Sequence, residues 1–343
     1  MPKKITDREW YSIRSILGCD WAMFYCLLGG REAGKSYATT KYFVGQWRKY
    51  KRPFYWLRLT ESSAKKLLCN NAEKLIDPDL RRKFNLNLKV KGDGVYEVLP
   101  DGTKLLMARV LALNTFYNDK GSGLFDKDFL NDPNMYYNIC LDEMNREQNE
   151  KKTFDIVYAL ANQLENLVRS TKKRLRIVMI GNTLQEASDI MCSFNFLPED
   201  FGRYYLRKKR CVIDYMPPGE KYASRRKGTV ADILSGDSST FTNQTIIDKS
   251  RLYKGRLRKP QYIIKFEKEK NHWFVIWDGN VISTYNGETV KNSISMKPYI
   301  NEYFVPDRRD FVVESFNIRA FWFKNLMSQK KFQKELELLK PKG

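Results

Sequence analysis

Short apolar segments alternate with amphipathic segments over the first 185 residues of the chain. The apolar runs predict buried strands, and apolar residues at helical spacing predict helices. The predicted strands are 23–28, 54–59, 136–141 and 175–181, and the predicted helices are 5–17, 36–47, 62–68, 71–76 and 154–170. This alternation predicts an α/β fold, in which a mainly parallel sheet carries helices on both faces. Residues 84–108 alternate and predict hairpins that form a small β insertion, and residues 114–126 predict a loop.

The pattern changes after Pro198. Residues 199–240 carry two clusters of Lys and Arg on either side of Pro217-Pro218-Gly219. They predict a basic linker that faces a polyanion, and a merely solvated charged face is the alternative. The sequence therefore predicts three regions, which are a first domain over 1–198, the linker over 199–240 and a second domain over 241–343.

The second domain is predicted to be α+β. Residues 260–313 alternate in the manner of strands, and Asp278-Gly279-Asn280 has the residue types of a hairpin turn. Two helices are predicted after these strands, over 314–328 and 330–339.

Net charge narrows the class of partner. The 343 residues carry a formal net charge of +21, which indicates a polyanionic partner, most often nucleic acid. The sequence has no apolar run near the ~18 residues that span a bilayer, and no signal peptide, so we expect a cytosolic protein that is neither secreted nor bound to a membrane. Six scattered cysteines and a single histidine argue against a zinc site or a histidine-based triad.

The clearest motif lies between the first predicted strand and the helix that follows. It is Gly29-Gly30-Arg31-Glu32-Ala33-Gly34-Lys35-Ser36, which fits the phosphate-binding loop G-x-x-x-x-G-K-[ST]. The glycines allow backbone amides to point at phosphate oxygens, Lys35 would reach the β- and γ-phosphates, and Ser36 would hold Mg²⁺. With Tyr37, these residues are the candidate site for ATP and Mg²⁺. A glycine-rich turn with an incidental lysine is the alternative.

A second candidate element is the strand over 136–141, which ends in two adjacent carboxylates, Asp142 and Glu143. In phosphate-loop ATPases the first carboxylate holds Mg²⁺ and the second acts as general base towards water. We therefore predict Asp142 as a metal ligand and Glu143 as a catalytic residue. The alternative is an acidic turn of the kind that often ends a strand.

The strand over 175–181 ends in Gly181-Asn182-Thr183. In ATPases with an additional central strand, a polar side chain at this strand end lies beside the γ-phosphate. Asn182 is therefore a candidate sensor of hydrolysis, and the alternative is an asparagine favoured by a turn. Since the carboxyl ends of parallel strands lie at one edge of a sheet, Gly29, Asp142 and Asn182 are expected close together.

With these residues placed, the chain resembles the terminase-like DNA-packaging motor ATPases, or encapsidation proteins, of small protein-primed podophages (Picovirinae-like). The resemblance covers essentially the whole length and rests on residues 29–38, on the Asp142-Glu143 strand end, and on the Arg-rich segment before Gly181-Asn182-Thr183. It implies an additional-strand (ASCE) P-loop ATPase domain and a smaller, nuclease-inactive RNase H-like domain. It also implies a homomeric ring, held to be a pentamer, that pumps double-stranded DNA into a prohead.

The resemblance also implies where the ring works and which residues its subunits share. The expected partners are DNA phosphates, the portal of the prohead and, in some members, a packaging RNA. The expected location is the host cytoplasm and, transiently, the portal vertex. Arg169 resembles the family's trans-acting arginine finger if one residue is inserted between Ser170 and Lys173, and Lys120 resembles a lysine that reaches the neighbouring site. The plain alternative for both is an exposed basic residue.

Lys65 and Lys66, in the predicted loop after the second strand, are candidates for gripping DNA by their position only. Three other functions stay open on the sequence alone. They are a packaging terminase whose second domain still cuts DNA with two metals, a non-catalytic nucleic-acid-binding scaffold that uses nucleotide as a structural ligand, and a helicase that acts on single strands.

Overall fold

The computed structural model describes residues 10–30, 33–119, 136–145, 154–168, 175–181, 188–217, 227–230, 233, 249–266, 273–285, 293–296 and 309–338. The chain forms two compact units, Met1–Ser193 with Asp200–Ile246, and Phe194–Glu199 with Ile247–Gly343. The described part of the chain has no helix long and apolar enough to cross a bilayer.

The first unit alternates strands and helices. In chain order its elements are α1 (Arg14–Leu17), β1 (Phe24–Leu28), α2 (Lys35–Tyr50), β2 (Phe54–Arg58), α3 (Glu61–Ala72), α4 (Pro78–Phe84), β3 (Leu88–Lys91), β4 (Gly94–Val98), β5 (Lys104–Ala112), β6 (Tyr137–Asp142), α5 (Ile156–Val168), β7 (Leu175–Gly181), α6 (Asp189–Ser193), β8 (Gly202–Leu206) and β9 (Cys211–Tyr215).

Among the described residues these strands form one nine-stranded sheet in the order β3-β4-β5-β2-β6-β7-β1-β9-β8. The neighbouring pairs β5–β2, β2–β6, β6–β7, β7–β1 and β1–β9 are parallel. The pairs β3–β4, β4–β5 and β8–β9 are antiparallel. Every residue of β6 and of β7 is buried, as expected for a parallel strand that is covered on both faces. The predicted mainly parallel α/β fold is confirmed.

Helix α2 is fixed to the sheet by aromatic packing. Phe43 lies 5.3 Å from Phe54 and 6.3 Å from Trp56 between ring centroids, and Trp47 is buried beside them. Trp47 also donates a hydrogen bond through its indole N–H to the buried carboxylate of Glu97, at 2.8 Å. These contacts fix the helix axis, and with it the direction in which the first turn of α2 points.

Two differences from the sequence prediction concern segments of this unit. Residues 84–108 do not form a separate insertion, because β5 pairs in parallel with β2 and the hairpins extend the main sheet. Residues 71–76 are not a helix of their own: Cys69, Asn70 and Asn71 leave helical geometry, and the next helix, α4, begins at Pro78. Asp77 caps it by accepting a hydrogen bond from the Asp79 amide.

Three further segments differ in their assignment. Residues 202–215, which the sequence analysis placed in a linker, form β8 and β9 of the main sheet. Of the predicted helix 5–17, the described part is helical over Arg14–Leu17, and residues 5–9 lie outside the described residues. Within the predicted loop 114–126, Leu113–Asp119 forms 3₁₀ turns and the rest lies outside the described residues.

The second unit is α+β. Its described elements are β10 (Pro260–Phe266), β11 (Trp273–Trp277), β12 (Val281–Tyr285), β13 (Ser293–Met296), α7 (Arg309–Asn317), β14 (Trp322–Phe323) and α8 (Leu326–Leu338). The strands pair in the order β13-β10-β11-β12-β14, and Phe332 of α8 packs against Phe266 and Phe274 of the sheet. The predicted turn at 278–280 is present, with positive φ at Asp278 and Gly279. The predicted helix over 314–328 is wrong in extent. The observed helix α7 ends at Asn317, and the chain then enters β14.

Candidate active site

The described residues of the phosphate loop and of the Asp142-Glu143 strand end lie at one edge of the parallel sheet. β7 lies between β1 and β6, so the ends of the phosphate-loop strand and of the acidic strand are separated by one strand. Leu28 of β1 is level with Gly181 of β7, and Asp142 of β6 is level with Ile180. This is the additional-strand arrangement that the sequence predicted, and it places both halves of the site at the carboxyl edge.

Glycine at position 181 suits the crowding of these strand ends. A Cβ atom there would lie 3.0 Å from the Asn145 side chain, 3.1 Å from that of Leu28 and 3.2 Å from that of Met144. Such distances are tighter than ordinary side-chain contacts, so any larger residue would require these three side chains to shift. Asn182 follows directly but lies outside the described residues.

The phosphate loop joins β1 to α2. Gly34 precedes α2 with φ of 81°, which favours glycine, and Lys35 and Ser36 form the first turn of the helix. The Lys35 ammonium is buried and donates to the carbonyl of Gly29 at 3.0 Å and to that of Gly30. Burial lowers the pKa of Lys35 to about 8, and the negative charge of Asp142 opposes part of that shift. Tyr37 is exposed on the next position of the helix, and Arg31 and Glu32 lie outside the described residues.

The metal-binding candidates lie next to each other. The hydroxyl of Ser36 donates to Oδ1 of Asp142 at 3.4 Å, although the two residues are far apart in sequence. Hydroxyl and carboxylate oxygens are the donors that Mg²⁺ accepts, and a helix N-terminus favours the anions that accompany it. The pair therefore fits a magnesium–nucleotide site.

Arg58, which the sequence analysis did not select, bridges the two carboxylates. It ends β2, which pairs with β6, and its guanidinium contacts Asp142 Oδ2 through Nη1 and Glu143 Oε2 through Nη2, both at 2.8 Å. The Arg58 and Asp142 side chains are 13% and 12% exposed, whereas that of Glu143 is 49% exposed. In the sequence, Arg58 is only a charged residue at the end of an apolar strand. It can be assigned to the site only when β2 is known to pair with β6.

Glu143 has an unusual backbone conformation. Its φ is 61°, in the left-handed region that non-glycine residues rarely occupy, and the next amide, of Met144, bonds to the Ile180 carbonyl at 2.9 Å. Strained residues of this kind concentrate at functional sites, where surrounding contacts hold them in place. The turn carries the Glu143 side chain out of the sheet while β6 stays paired with β7.

A buried polar cluster, also missed from the sequence, holds the N-terminal segment against the phosphate loop. The Tyr11 amide donates to the Ala33 carbonyl at 3.0 Å, and the Tyr11 hydroxyl donates to Asp214 Oδ2 at 2.9 Å. Arg203 binds both oxygens of Asp214, at 2.5 and 2.7 Å, and also the carbonyl and hydroxyl of Ser15. Burial, followed by the charge of Asp214, raises the pKa of Tyr11 well above its ordinary value. The cluster fixes one wall of the loop.

The remaining candidates fall elsewhere. Lys65 and Lys66 do not lie in a loop, because they are exposed residues of α3, and Lys65 pairs with Glu61 at 2.8 Å. Lys120 and Arg169 lie outside the described residues.

The glycine loop on a helix N-terminus, the acidic strand end and the intervening parallel strand define the fold and site of a phosphate-loop NTPase of the additional-strand class. Comparison with families of known proteins gives the particular family. The chain belongs to the podovirus DNA encapsidation protein (Gp16) family, whose model matches residues 6–332. The resemblance inferred from the sequence is confirmed, and with it the class, that of phage genome-packaging proteins.

Solved structures show the same fold over nearly the whole chain. "The bacteriophage Phi-29 viral genome packaging motor assembly" is 19% identical, covers 97% of this chain and 100% of its own, and has a TM-score of 0.64. "The Phi-28 gp11 DNA packaging Motor" is 13% identical, covers 98% of this chain and 99% of its own, and has a TM-score of 0.59. No match was found among curated proteins.

Proposed function

We propose that this chain is the ATP-hydrolysing subunit of a phage motor that moves double-stranded DNA into a prohead through the portal. The observation that carries the proposal is the meeting of Ser36 and Asp142, at 3.4 Å, beside a buried Lys35 at the N-terminus of α2. Membership of the DNA encapsidation family supports the packaging role. ATP is the substrate in this proposal, and Mg²⁺ is the metal.

The loop residues bind the substrate. Backbone amides of the loop and of the first turn of α2 donate hydrogen bonds to phosphate oxygens, and Lys35 exchanges its contacts with the Gly29 and Gly30 carbonyls for phosphate. Ser36 and Asp142 would hold Mg²⁺, which neutralises charge on the phosphates when it is bound. The loss of the Lys35 contacts is small against the gain of an anionic partner, because the ammonium then exchanges neutral carbonyl oxygens for charged phosphate oxygens.

Glu143 is the general base that takes a proton from the attacking water. The Glu143 carboxylate contacts the Arg58 guanidinium in this conformation, so it must turn away from Arg58 before it can contact the attacking water. Its exposure leaves room for that turn, whereas Asp142 stays held by Arg58 and by the Trp56 indole N–H at 3.4 Å. Arg58 thus separates the roles of the two carboxylates.

The ring completes the site in this proposal. Arg169 of a neighbouring subunit serves as the arginine finger, Lys120 reaches the same neighbouring site, and Asn182 senses loss of the γ-phosphate. A finger supplied in trans makes hydrolysis depend on assembly and is worth ~10³-fold or more in rate. A homomeric ring, of five subunits by resemblance, grips DNA through phosphates, since a packaging motor must pass any sequence. The resemblance extends the proposal to a packaging RNA, and DNA packaging into proheads with and without that RNA tests this part.

The test is steady-state ATP hydrolysis by the wild type and by Glu143→Gln, each titrated with double-stranded DNA. We expect DNA to stimulate the wild type, and the variant to lose roughly 10²–10⁴-fold in kcat because the general base is gone. ATP affinity should stay within about threefold, since Glu143 does not hold the phosphates. The matched control is Glu165→Gln, which removes an exposed carboxylate from α5 and should hydrolyse ATP at the wild-type rate.

Equal hydrolysis by the wild type and Glu143→Gln would refute the assigned role of this residue. A wild type that binds ATP but never turns over, even with proheads, would favour a scaffold over a motor.

A further inference from the structure

The turn between β8 and β9 concentrates positive charge on the surface. Arg207–Lys209 forms one turn of 3₁₀ helix, and Arg210 follows with φ of 49° before β9 begins. All of its four side chains are exposed, and we call Arg207, Lys208, Lys209 and Arg210 the basic turn. The antiparallel strands on either side hold it in place, so its backbone is ordered by the sheet. The basic cluster that the sequence analysis placed in a linker is therefore a rigid feature of the first unit.

The arginines of the basic turn are anchored, whereas its lysines are not. The Arg207 guanidinium lies 4.5 Å from the centre of the Trp21 ring, and Arg210 Nε donates to the Trp21 carbonyl at 3.4 Å. In the described part of the chain, the side chains of Lys208 and Lys209 have no ion-pair partner. Two lysines that lack a local counter-charge project from a base that two arginines hold still, and this arrangement suits contact with an external anion.

The basic turn lies at the opposite edge of the sheet from the phosphate loop. β9 is parallel to β1, with Cys211 level with Phe24 and Tyr215 level with Leu28. The turn therefore precedes the amino end of β9, while the phosphate loop follows the carboxyl end of β1. Five residues of strand span about 17 Å, so an anion at the basic turn does not compete with nucleotide at the loop. The two ends of the sheet can be occupied at once.

The Trp21 ring, on which the basic turn rests, is not open for base stacking, although the neighbouring Tyr205 is 40% exposed. Proteins that hold single strands stack bases on open aromatic faces. Here Trp21 is covered by Arg207 and packs against Tyr205 at 6.2 Å between ring centroids. A partner is then bound through its phosphates, and contacts of that kind are independent of sequence.

We propose that the basic turn is a contact site for the phosphate backbone of double-stranded DNA, with Lys208 and Lys209 as the residues that pair with phosphates. The choice of DNA rests on the proposed packaging function, whereas the choice of a duplex backbone rests on the geometry of the turn. This contact would give the proposed function a DNA-binding surface that is remote from the nucleotide. Through it the first unit would hold the duplex during translocation.

The test measures binding of a short fluorescent DNA duplex by anisotropy, without ATP, over a range of salt concentrations. The variant is Lys208→Gln with Lys209→Gln, and the matched control is Lys89→Gln with Lys91→Gln, which removes equal charge from exposed positions of β3. The slope of log affinity against log salt should fall by about 1 per lysine that pairs with a phosphate. We expect a fall of about 2 for the first variant, and a much smaller change for the control. Lys208→Arg with Lys209→Arg should restore the wild-type slope, because the charge is kept.

Three results would overturn the proposal. They are a wild-type slope in the Lys208/Lys209 variant, an equal loss in the Lys89/Lys91 control, and tighter binding of single-stranded DNA or duplex RNA than of duplex DNA at the basic turn. Because the assay contains no ATP, its outcome is separate from that of the hydrolysis test. A wild type that binds duplex DNA through the basic turn but does not hydrolyse ATP would refute the proposed motor and leave this contact site standing.

Discussion

Replacing Asp214 with asparagine removes the charge that holds Tyr11 and Arg203 together inside the first unit. Asp214 is fully buried and accepts hydrogen bonds from the Tyr11 hydroxyl at 2.9 Å and from Arg203 at 2.5 and 2.7 Å. The Arg203 side chain is 9% exposed, so water cannot replace the lost carboxylate. The variant therefore leaves a buried guanidinium without its counter-charge.

The expected cost follows from that arrangement. Breaking a buried ion pair by removal of one partner costs about 3–5 kcal/mol in the free energy of unfolding. Asparagine still accepts one hydrogen bond, so we expect Asp214→Asn to lose about 3 kcal/mol. Tyr11→Phe removes a single bond to a charged acceptor and should lose about 1.5–3 kcal/mol. Either loss is a large fraction of a typical domain stability of about 5–15 kcal/mol.

The assay is urea unfolding followed by circular dichroism and tryptophan fluorescence. Asp20→Asn is the matched control, because this exposed carboxylate accepts one bond from Tyr136 at 3.2 Å and should cost no more than about 0.5 kcal/mol. Adding Arg203→Met to Asp214→Asn should recover part of the loss, since it removes the uncompensated charge. A loss below about 1 kcal/mol in Asp214→Asn, or no recovery in the double variant, would refute the account of this cluster.

Two further outcomes follow from other ion pairs. Arg58→Lys keeps one charge but loses the planar guanidinium that holds Asp142 in place for Mg²⁺, so kcat should fall at least about tenfold with nearly unchanged ATP affinity, and an unchanged kcat in steady-state assays would contradict this. Burial alone raises the pKa of Glu97, but hydrogen bonds from Lys51 and the Trp47 indole outweigh it and the net pKa is lowered. Because the pKa of Glu97 is lower in the folded state, its ionised carboxylate stabilises the fold at pH values above the ordinary glutamate pKa. That stabilisation is lost as the pH falls through the pKa of Glu97 in the folded protein. Acid unfolding curves should therefore show a pH-dependent loss in the wild type that Glu97→Gln lacks, and identical pH dependence in both proteins would refute it.

Local patterns in the sequence were sufficient for the parts of the fold that local chemistry controls. The strands over β1, β2, β6 and β7 were predicted because each is a continuous apolar run, as burial on both faces requires. The phosphate loop was found because its glycines, Lys35 and Ser36 are adjacent in the chain. The Asp142-Glu143 pair was found because a strand end and its carboxylates are contiguous.

Contacts between distant segments could not be predicted in the same way. Arg58 becomes a site residue only through the pairing of β2 with β6, and strand order is not written in any single run of residues. Asp214 and Arg203 looked like ordinary residues of a basic segment, because short strands with exposed charges on one side resemble a linker. The dense charge of the turn between them concealed β8 and β9, although every residue of β9 is buried.

The β8–β9 hairpin connects the basic turn with the phosphate loop. At its outer end is the basic turn, and within its strands Arg203 and Asp214 are directly paired partners. Asp214 in turn holds Tyr11, whose amide bonds to Ala33 of the phosphate loop. An apolar cluster of similar volume could stabilise this region equally well, so stability does not explain why charged groups are buried here. Directional bonds do explain it, because they fix the register of the N-terminal segment on the loop, whereas apolar contacts would let that segment slide. We infer that the cluster keeps the nucleotide loop in register with the strand pair that carries the basic turn.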